Sequence, residues 1–147
     1  MKWDGIKSIS QISGGVTAFW SWNGRDVTAL FPEIAEVFPD ISGLVLDGEI
    51  VAPDPATGAP SFGRLQRRLG TRPSTALQKA VPGRYFMFDV LEIAAESVMD
   101  LTYLERRERL DELQLEGGPI RVPPMWIGED PERMLRLAAD AGLEGIL

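Results

Sequence analysis

Arg84-Tyr85-Phe86-Met87-Phe88-Asp89-Val90-Leu91-Glu92-Ile93 is the stretch from which the fold of this chain is best read. It is rich in aromatic and branched residues, it is too short for a membrane span, and one acid, Asp89, stands in its apolar middle. Such a run reads as a strand of a buried sheet. Phe86 and Phe88 share a face by the period of two and are expected in the core, although one of them has the shape to stack on a base. Asp89 reads as a buried, hydrogen-bonded carboxylate.

Further strands appear on either side. Ile6 to Ser13 alternates apolar and polar residues, Gly14-Gly15 breaks the pattern, and Val16 to Trp22 resumes it, which predicts a hairpin. Asn23-Gly24 is a second tight-turn signal. Leu44 to Ala52 reads as a strand interrupted only by Asp47-Gly48-Glu49, and Leu143 to Leu147 begins another. Short helices are expected from Phe31-Pro32-Glu33 through Phe38 and from about Ser61 to Leu69, where Gly70 stops the chain. The Thr102-x-x-Glu105 capping box predicts a helix through about Leu115. Asp130-Pro131 opens a last helix that ends at Gly142. Asp54 to Pro60 is a Pro/Gly loop. The pattern is α+β, with largely antiparallel sheets and short packed helices.

The totals bound the chemistry. With 147 residues, 44% hydrophobic and 25% charged, the chain is one domain or part of one. No segment approaches the roughly 18 apolar residues of a membrane span, and MKWDGIKS is not a secretory signal, so the cytoplasm is the default compartment. The absence of Cys and His excludes disulfides, thiolate metal sites and imidazole catalysis. Any metal must be a hard ion held by carboxylates, Mg2+ or Mn2+. The net charge of −7 opposes whole-surface affinity for nucleic acid. From Ser61 to Arg84, however, there is no acid, while Arg64, Arg67, Arg68, Arg72, Lys79 and Arg84 are basic. The strip is either a solvated face or a track for phosphates.

Lys2-Trp3-Asp4-Gly5 contains a lysine beside a desolvating ring and a turn. A neutral lysine amine can attack a nucleotide α-phosphate if its pKa, ordinarily ~10.4, is lowered. Alone, K-x-D-G also matches any exposed lysine beside a turn. Asp47 and Glu49 are expected on opposite sides of their strand, so that only one enters a given pocket. Glu49 by itself also fits a structural ion pair.

Seven segments stand in order along the chain: KWDGIK at 2–7, SWNGRDVTALFPEI at 21–34, LDGEIVA at 46–52, SFGRLQRR at 61–68, YFMFDVL at 85–91, LTYLERRERL at 101–110 and EGIL at 144–147. The set resembles the adenylation (nucleotidyltransferase, ATP-grasp-like) domain of ATP-dependent DNA ligases and is most similar to bacterial ligases of repair and end joining. The resemblance implies that Lys2 forms a lysyl-AMP phosphoramide with ATP and Mg2+ (or Mn2+). Asp4, Gly5 and Lys7 would belong to its nucleotide-binding motif. Glu49 would serve the ribose and the metal, Phe88 would stack on adenine, and Glu144 would be a second metal carboxylate. AMP would pass to the 5′-phosphate of nicked double-stranded DNA in repair and recombination, with Arg64, Arg67, Arg68 and Arg72 as DNA contacts.

The departures are also legible. Lys7 and Trp22 stand where such ligases usually have arginine, and a tryptophan supplies no guanidinium. Residues 1–147 are expected to be a partial adenylation domain, cut at both ends, without the C-terminal OB domain and later lysine motifs, and with sheet edges that favour aggregation. The alternative expectation is a catalytically inactive ligase remnant that binds nucleotide or DNA at most. An RNA ligase or capping guanylyltransferase shares the K-x-D-G chemistry, and labelling by GTP rather than ATP would distinguish it.

Overall fold

Tyr85 lies at the centre of the sheet and is fully buried. The structure is a computed structural model that describes residues 2–38, 41–70, 72–143 and 145–146. Its strands are β1 (Ile6–Ser13), β2 (Val16–Ser21), β3 (Leu44–Val51), β4 (Arg84–Ile93), β5 (Glu96–Ser97) and β6 (Ile120–Arg121). They form one sheet in the order β2-β1-β3-β4-β5, with β6 also on β4. Every pairing is antiparallel except the two-residue β4–β6 ladder. The α+β reading with largely antiparallel strands is what the structure has.

The helices are α1 (Pro32–Ala35), α2 (Phe62–Leu65), α3 (Thr75–Ala80), α4 (Tyr103–Glu112) and α5 (Pro131–Asp140). α1 is shorter than its sequence pattern: the chain leaves helical geometry after Glu36, and the Phe38 ring instead packs on Phe19 and Tyr85. α2 tightens into a 3-10 turn over Gln66–Arg68 before Leu69 turns extended. α4 has its full capping box, with Thr102 accepting from the Glu105 amide and Glu105 accepting from the Thr102 amide. It stops before Gln114, whose φ of 49° is left-handed. α5 begins at the expected Asp130 N-cap, which accepts from the amides of Glu132 and Arg133. It ends at Gly142 (φ +68°) with amide bonds from Gly142 to Ala139 and from Leu143 to Ala138, the 5→2 and 6→1 pattern of a Schellman turn. The strand expected at 143–147 is represented by a single bridge between Lys2 and Gly145. Among the described residues no helix is long and apolar enough to cross a membrane.

One face of the sheet carries the core: Phe19, Ile12, Leu44, Leu46, Ile50, Tyr85, Met87 and Val90 are all within 1% of complete burial and meet Phe31, Ile34, Leu65 and Val81 from the helical side. Gly48 is glycine because a Cβ there would sit 2.8 Å from the Tyr85 ring and against the Phe86 carbonyl. The Tyr85 hydroxyl donates toward the carbonyls of Ser8 (3.0 Å) and Leu46 (3.3 Å), tying β4 to β1 and β3.

Arg68 overturns one expectation. The resemblance implies a DNA contact there, whereas the side chain is completely buried. Its Nη1 donates to Glu33 (2.7 Å) and to the Val81 carbonyl (2.6 Å), Nη2 donates to Glu33 (3.0 Å) and to Leu30, and the guanidinium lies 4.9 Å from the Phe31 ring centroid. Glu33 also accepts from the Gly83 amide at 3.0 Å. The pair thus joins α1, the 3-10 turn and the loop before β4. Removing one partner of a buried pair strands the other charge, so Arg68→Ala is expected to cost about 3 kcal/mol in equilibrium urea unfolding. A cost under about 1 kcal/mol would mean that the pair does not organise this side of the sheet.

Candidate active site

The opposite face of the sheet is polar, and the N-terminal segment is delivered to it by three specific contacts. The Lys2 amide donates to the Gly145 carbonyl (2.7 Å), so the segments at 2–5 and 145–146 lie side by side. Trp3 packs edge-on against Phe86, with centroids 4.3 Å apart and planes at 75°. The Asp4 carboxylate accepts from the amide of Phe62 (2.9 Å), the first residue of α2, and so joins the Ser61 hydroxyl in satisfying that helix's free amides. Gly5 then crosses β3 so closely that a Cβ would collide with the Ile50 carbonyl and stand 2.9 Å from Glu49 Cγ and Val51 Cγ1. Asp4 and Gly5 therefore have defined structural work: one anchors the turn and the other lets it pass.

Asp47 and Glu49 were expected on opposite sides of β3. They share the polar face, as residues two apart on a strand must, while Leu46, Gly48 and Ile50 between and beside them are buried. In the ladder Lys7 pairs with Glu49 and Glu49 with Phe86, giving a row across β1, β3 and β4. Lys7 Nζ reaches Asp47 Oδ1 at 2.5 Å and lies 5.6 Å from the Phe88 ring centroid.

A bulge shapes β4 at this point. Asp47 pairs with Asp89 but Gly48 pairs with Met87, leaving Phe88 as the extra residue. Met87 and Val90, three apart, both point into the core, so the consecutive Phe88 and Asp89 both line the polar side. Phe86 and Phe88, expected in the core, are half-buried here instead. Asp89 is held by Arg106 of α4 through Nε (2.9 Å) and Nη2 (2.7 Å) and accepts from the Val90 amide (2.9 Å). The hydrogen bond from Arg106 to Asp89 raises the guanidinium's pKa above its usual value. This satisfies the expectation of a hydrogen-bonded aspartate.

These groups surround a cavity of about 610 Å³. Trp3, Lys7, Asp47, Phe88 and Asp89 line the sheet side; Tyr103, Arg107, Trp126, Met134 and Ile146 are among the residues opposite. Lys2 is exposed and adjoins the cavity through Trp3, its chain neighbour, and through Gly145, the neighbour of Ile146. Glu49 is half-buried, in the row beside Lys7. Glu144 lies outside the described residues. Of the basic strip, Arg67 and Arg72 are exposed, whereas Arg64 is half-buried and donates to the Ala80 carbonyl (2.6 Å). Sequence reasoning overlooked Asp47 as the partner of Lys7, and it overlooked the wall from Pro123 to Trp126. The spacing D-x-E was a usable signal for Asp47; the wall, an irregular Pro-rich segment, carried none.

The donor chemistry fits a hard cation, since carboxylates are the strongest ligands the composition offers. Among the described residues no three acids cluster to hold a metal alone. The fit is to an ion that keeps water and takes oxygens from a bound phosphate.

The sequence family described as "ATP dependent DNA ligase domain" matches residues 1–147. The chain is 35% identical over 135 residues to the multifunctional non-homologous end joining protein LigD of Mycolicibacterium smegmatis, covering 90% of this chain and 16% of that protein. It is 37% identical over 127 residues to a probable DNA ligase of Koribacter versatilis, covering 84% of this chain and 22% of the relative. A solved structure of mycobacterial DNA ligase D, complexed with ATP and MES, superimposes with a TM-score of 0.77 at 28% identity over 97% of this chain and 44% of that one. The chain belongs to the ATP-dependent DNA ligase family and has the fold of its adenylation domain. It spans only a part of the length of these relatives.

Gly5→Ala is expected to lose about 2 kcal/mol in urea unfolding, because the added methyl meets backbone that cannot yield. Gly63→Ala, in α2 with nothing within 4 Å of its Cβ position, is the control. It should be neutral or stabilising by roughly 0.5–1 kcal/mol. Equal losses at both positions would refute the close crossing.

Proposed function

We propose that this chain carries out the nucleotide half of DNA ligation. It binds ATP in the cavity beside Phe88, forms a covalent lysyl-AMP at Lys2, and passes the AMP to the 5′-phosphate of a nick in duplex DNA during repair and recombination. The observation that carries this reading is convergence. Lys2 and the 145–146 segment meet next to a cavity whose sheet wall holds Lys7, Asp47 and Phe88, with Glu49 in the same cross-strand row.

In the first step the neutral Lys2 Nζ attacks the α-phosphorus of ATP, a P–N bond forms, the bond to the bridging oxygen of the β-phosphate breaks, and pyrophosphate leaves. The lysine proton is lost to solvent or to a phosphate oxygen. Phe88 offers a flat apolar surface for a purine. Lys7, fixed by Asp47, adds positive charge on the phosphate side. Glu49 and Glu144 are the carboxylates that would hold Mg2+ or Mn2+, which neutralises phosphate charge when bound. The exposed Arg67 and Arg72 would take DNA phosphates, with Arg64 beside them. The work of wrapping a nick would fall to a further OB domain of the kind that such ligases carry, and the setting is cytoplasmic.

Intact-mass spectrometry after incubation with ATP and Mg2+ should show an AMP-sized adduct on the native chain and none on Lys2→Ala. Preference for GTP would point instead to capping-type chemistry. No adduct on folded protein would leave the inactive-remnant alternative.

A further inference from the structure

Trp22 is 88% exposed, its ring open to solvent. A free indole of this kind is unusual in a chain that buries its other large aromatic residues at least partly, and it is displayed by a turn that is tightly held. The Ser21 amide donates to the Arg25 carbonyl (2.9 Å), the Gly24 amide to the Ser21 carbonyl (2.8 Å), and the Ser21 hydroxyl to Asn23 Oδ1 (2.7 Å). Gly24 takes the left-handed φ of +73° that closes the turn. The Trp22 amide donates to the Lys7 carbonyl at 3.1 Å, which locks the turn in register with the strand that supplies Lys7 to the cavity.

The register also gives the side of the sheet. Trp20 pairs with Ile9, and Ile9 with Asp47, which lines the cavity. Trp20, itself 40% exposed, is therefore on the cavity's side of the sheet, and Trp22 stands in the turn just past the end of the same strand. Arg25 closes the same turn. It is exposed, and among the described residues no ion pair or hydrogen bond holds its side chain. Its acidic neighbour Asp26 is turned back to accept from the Thr28 amide (2.9 Å). A tightly held turn that carries both an exposed indole and an exposed guanidinium suits a ligand with a flat π-face and an adjacent anion. One strand of a nucleic acid has both.

We propose that the turn at 21–25 is a docking point for the DNA strand next to the reacting end, with Trp22 stacking on an unpaired or frayed base and Arg25 taking a phosphate of the same strand. This rests on the reading of the chain as a DNA-ligating domain, and it makes Trp22 a determinant of which ends are accepted.

The test titrates the whole chain against a fluorescein-labelled nicked duplex with one unpaired base at the nick, and against its fully paired counterpart, by anisotropy. Lysyl-AMP formation is followed in parallel by mass. Trp22→Ala should weaken binding of the unpaired-base duplex roughly 10-fold and Trp22→Phe by no more than about threefold, as base–aromatic stacking requires. Arg25→Ala should lower the salt dependence by about one phosphate contact. Adenylation should be unchanged in all three. If native protein binds the duplex and Trp22→Ala binds it equally well, the docking point is wrong while the ligase reading stands. If native protein forms lysyl-AMP but binds neither duplex, the docking point is again wrong and only the nucleotide half survives. Loss of both native signals would overturn the two readings together.

Discussion

The packing of the Tyr85 ring against Gly48 is the contact on which the arrangement of this molecule depends. It sits at the middle of the sheet, where any side chain at position 48 would push the ring away. The phenol reaches carbonyls on both β1 and β3, so one residue of β4 fixes the three strands that carry the site. Burial pushes its pKa above the usual range, which keeps the hydroxyl a donor at neutral pH. With the even-numbered positions of β3 committed inward, Asp47 and Glu49 are committed to the other face.

The polar face follows from two further constraints. Gly5 lets the N-terminal segment cross β3 against the Ile50 carbonyl, and the bulge at Phe88 turns two successive residues of β4 to the same side. The result is a set of paired charges on four different elements, Lys7 with Asp47 and Arg106 with Asp89, of which Lys7, Asp47 and Asp89 line one cavity. Such pairs add little net stability, but they hold side chains in one orientation, which is what positioning a polyphosphate demands.

Local signals carried most of the fold. The Gly14-Gly15 hairpin, the capping box at Thr102, the Asp130-Pro131 start and the Gly142 stop were legible because each is a short-range hydrogen-bonding pattern written in a few residues. α3 escaped notice although Ser74 caps it, since its short sequence has little periodicity. The bulges at Phe88 and Leu91 were not legible, because they arise from the register between β3 and β4. Phe86 and Phe88 share a face as expected, but it is the face that Tyr85 and Met87 leave to the cavity. Asp47 and Glu49, two apart on a regular strand, share a face by the period of two, contrary to the expectation of opposite sides. Arg68 was misread for a long-range reason, since its partner Glu33 is 35 residues away. The candidate site was visible as an ordered series of short motifs, and what no motif conveyed was the Lys7–Asp47 pair and the cavity wall at 123–126.

The central claim is that the fold brings Lys2 and a nucleotide pocket together. A crystal structure of the chain grown with ATP and Mg2+ tests it most directly. The account expects the purine in the cavity against Phe88, with the α-phosphorus bonded to, or facing, Lys2 Nζ. A nucleotide bound elsewhere, or one whose α-phosphate faces Lys7 while Lys2 points away, would contradict it.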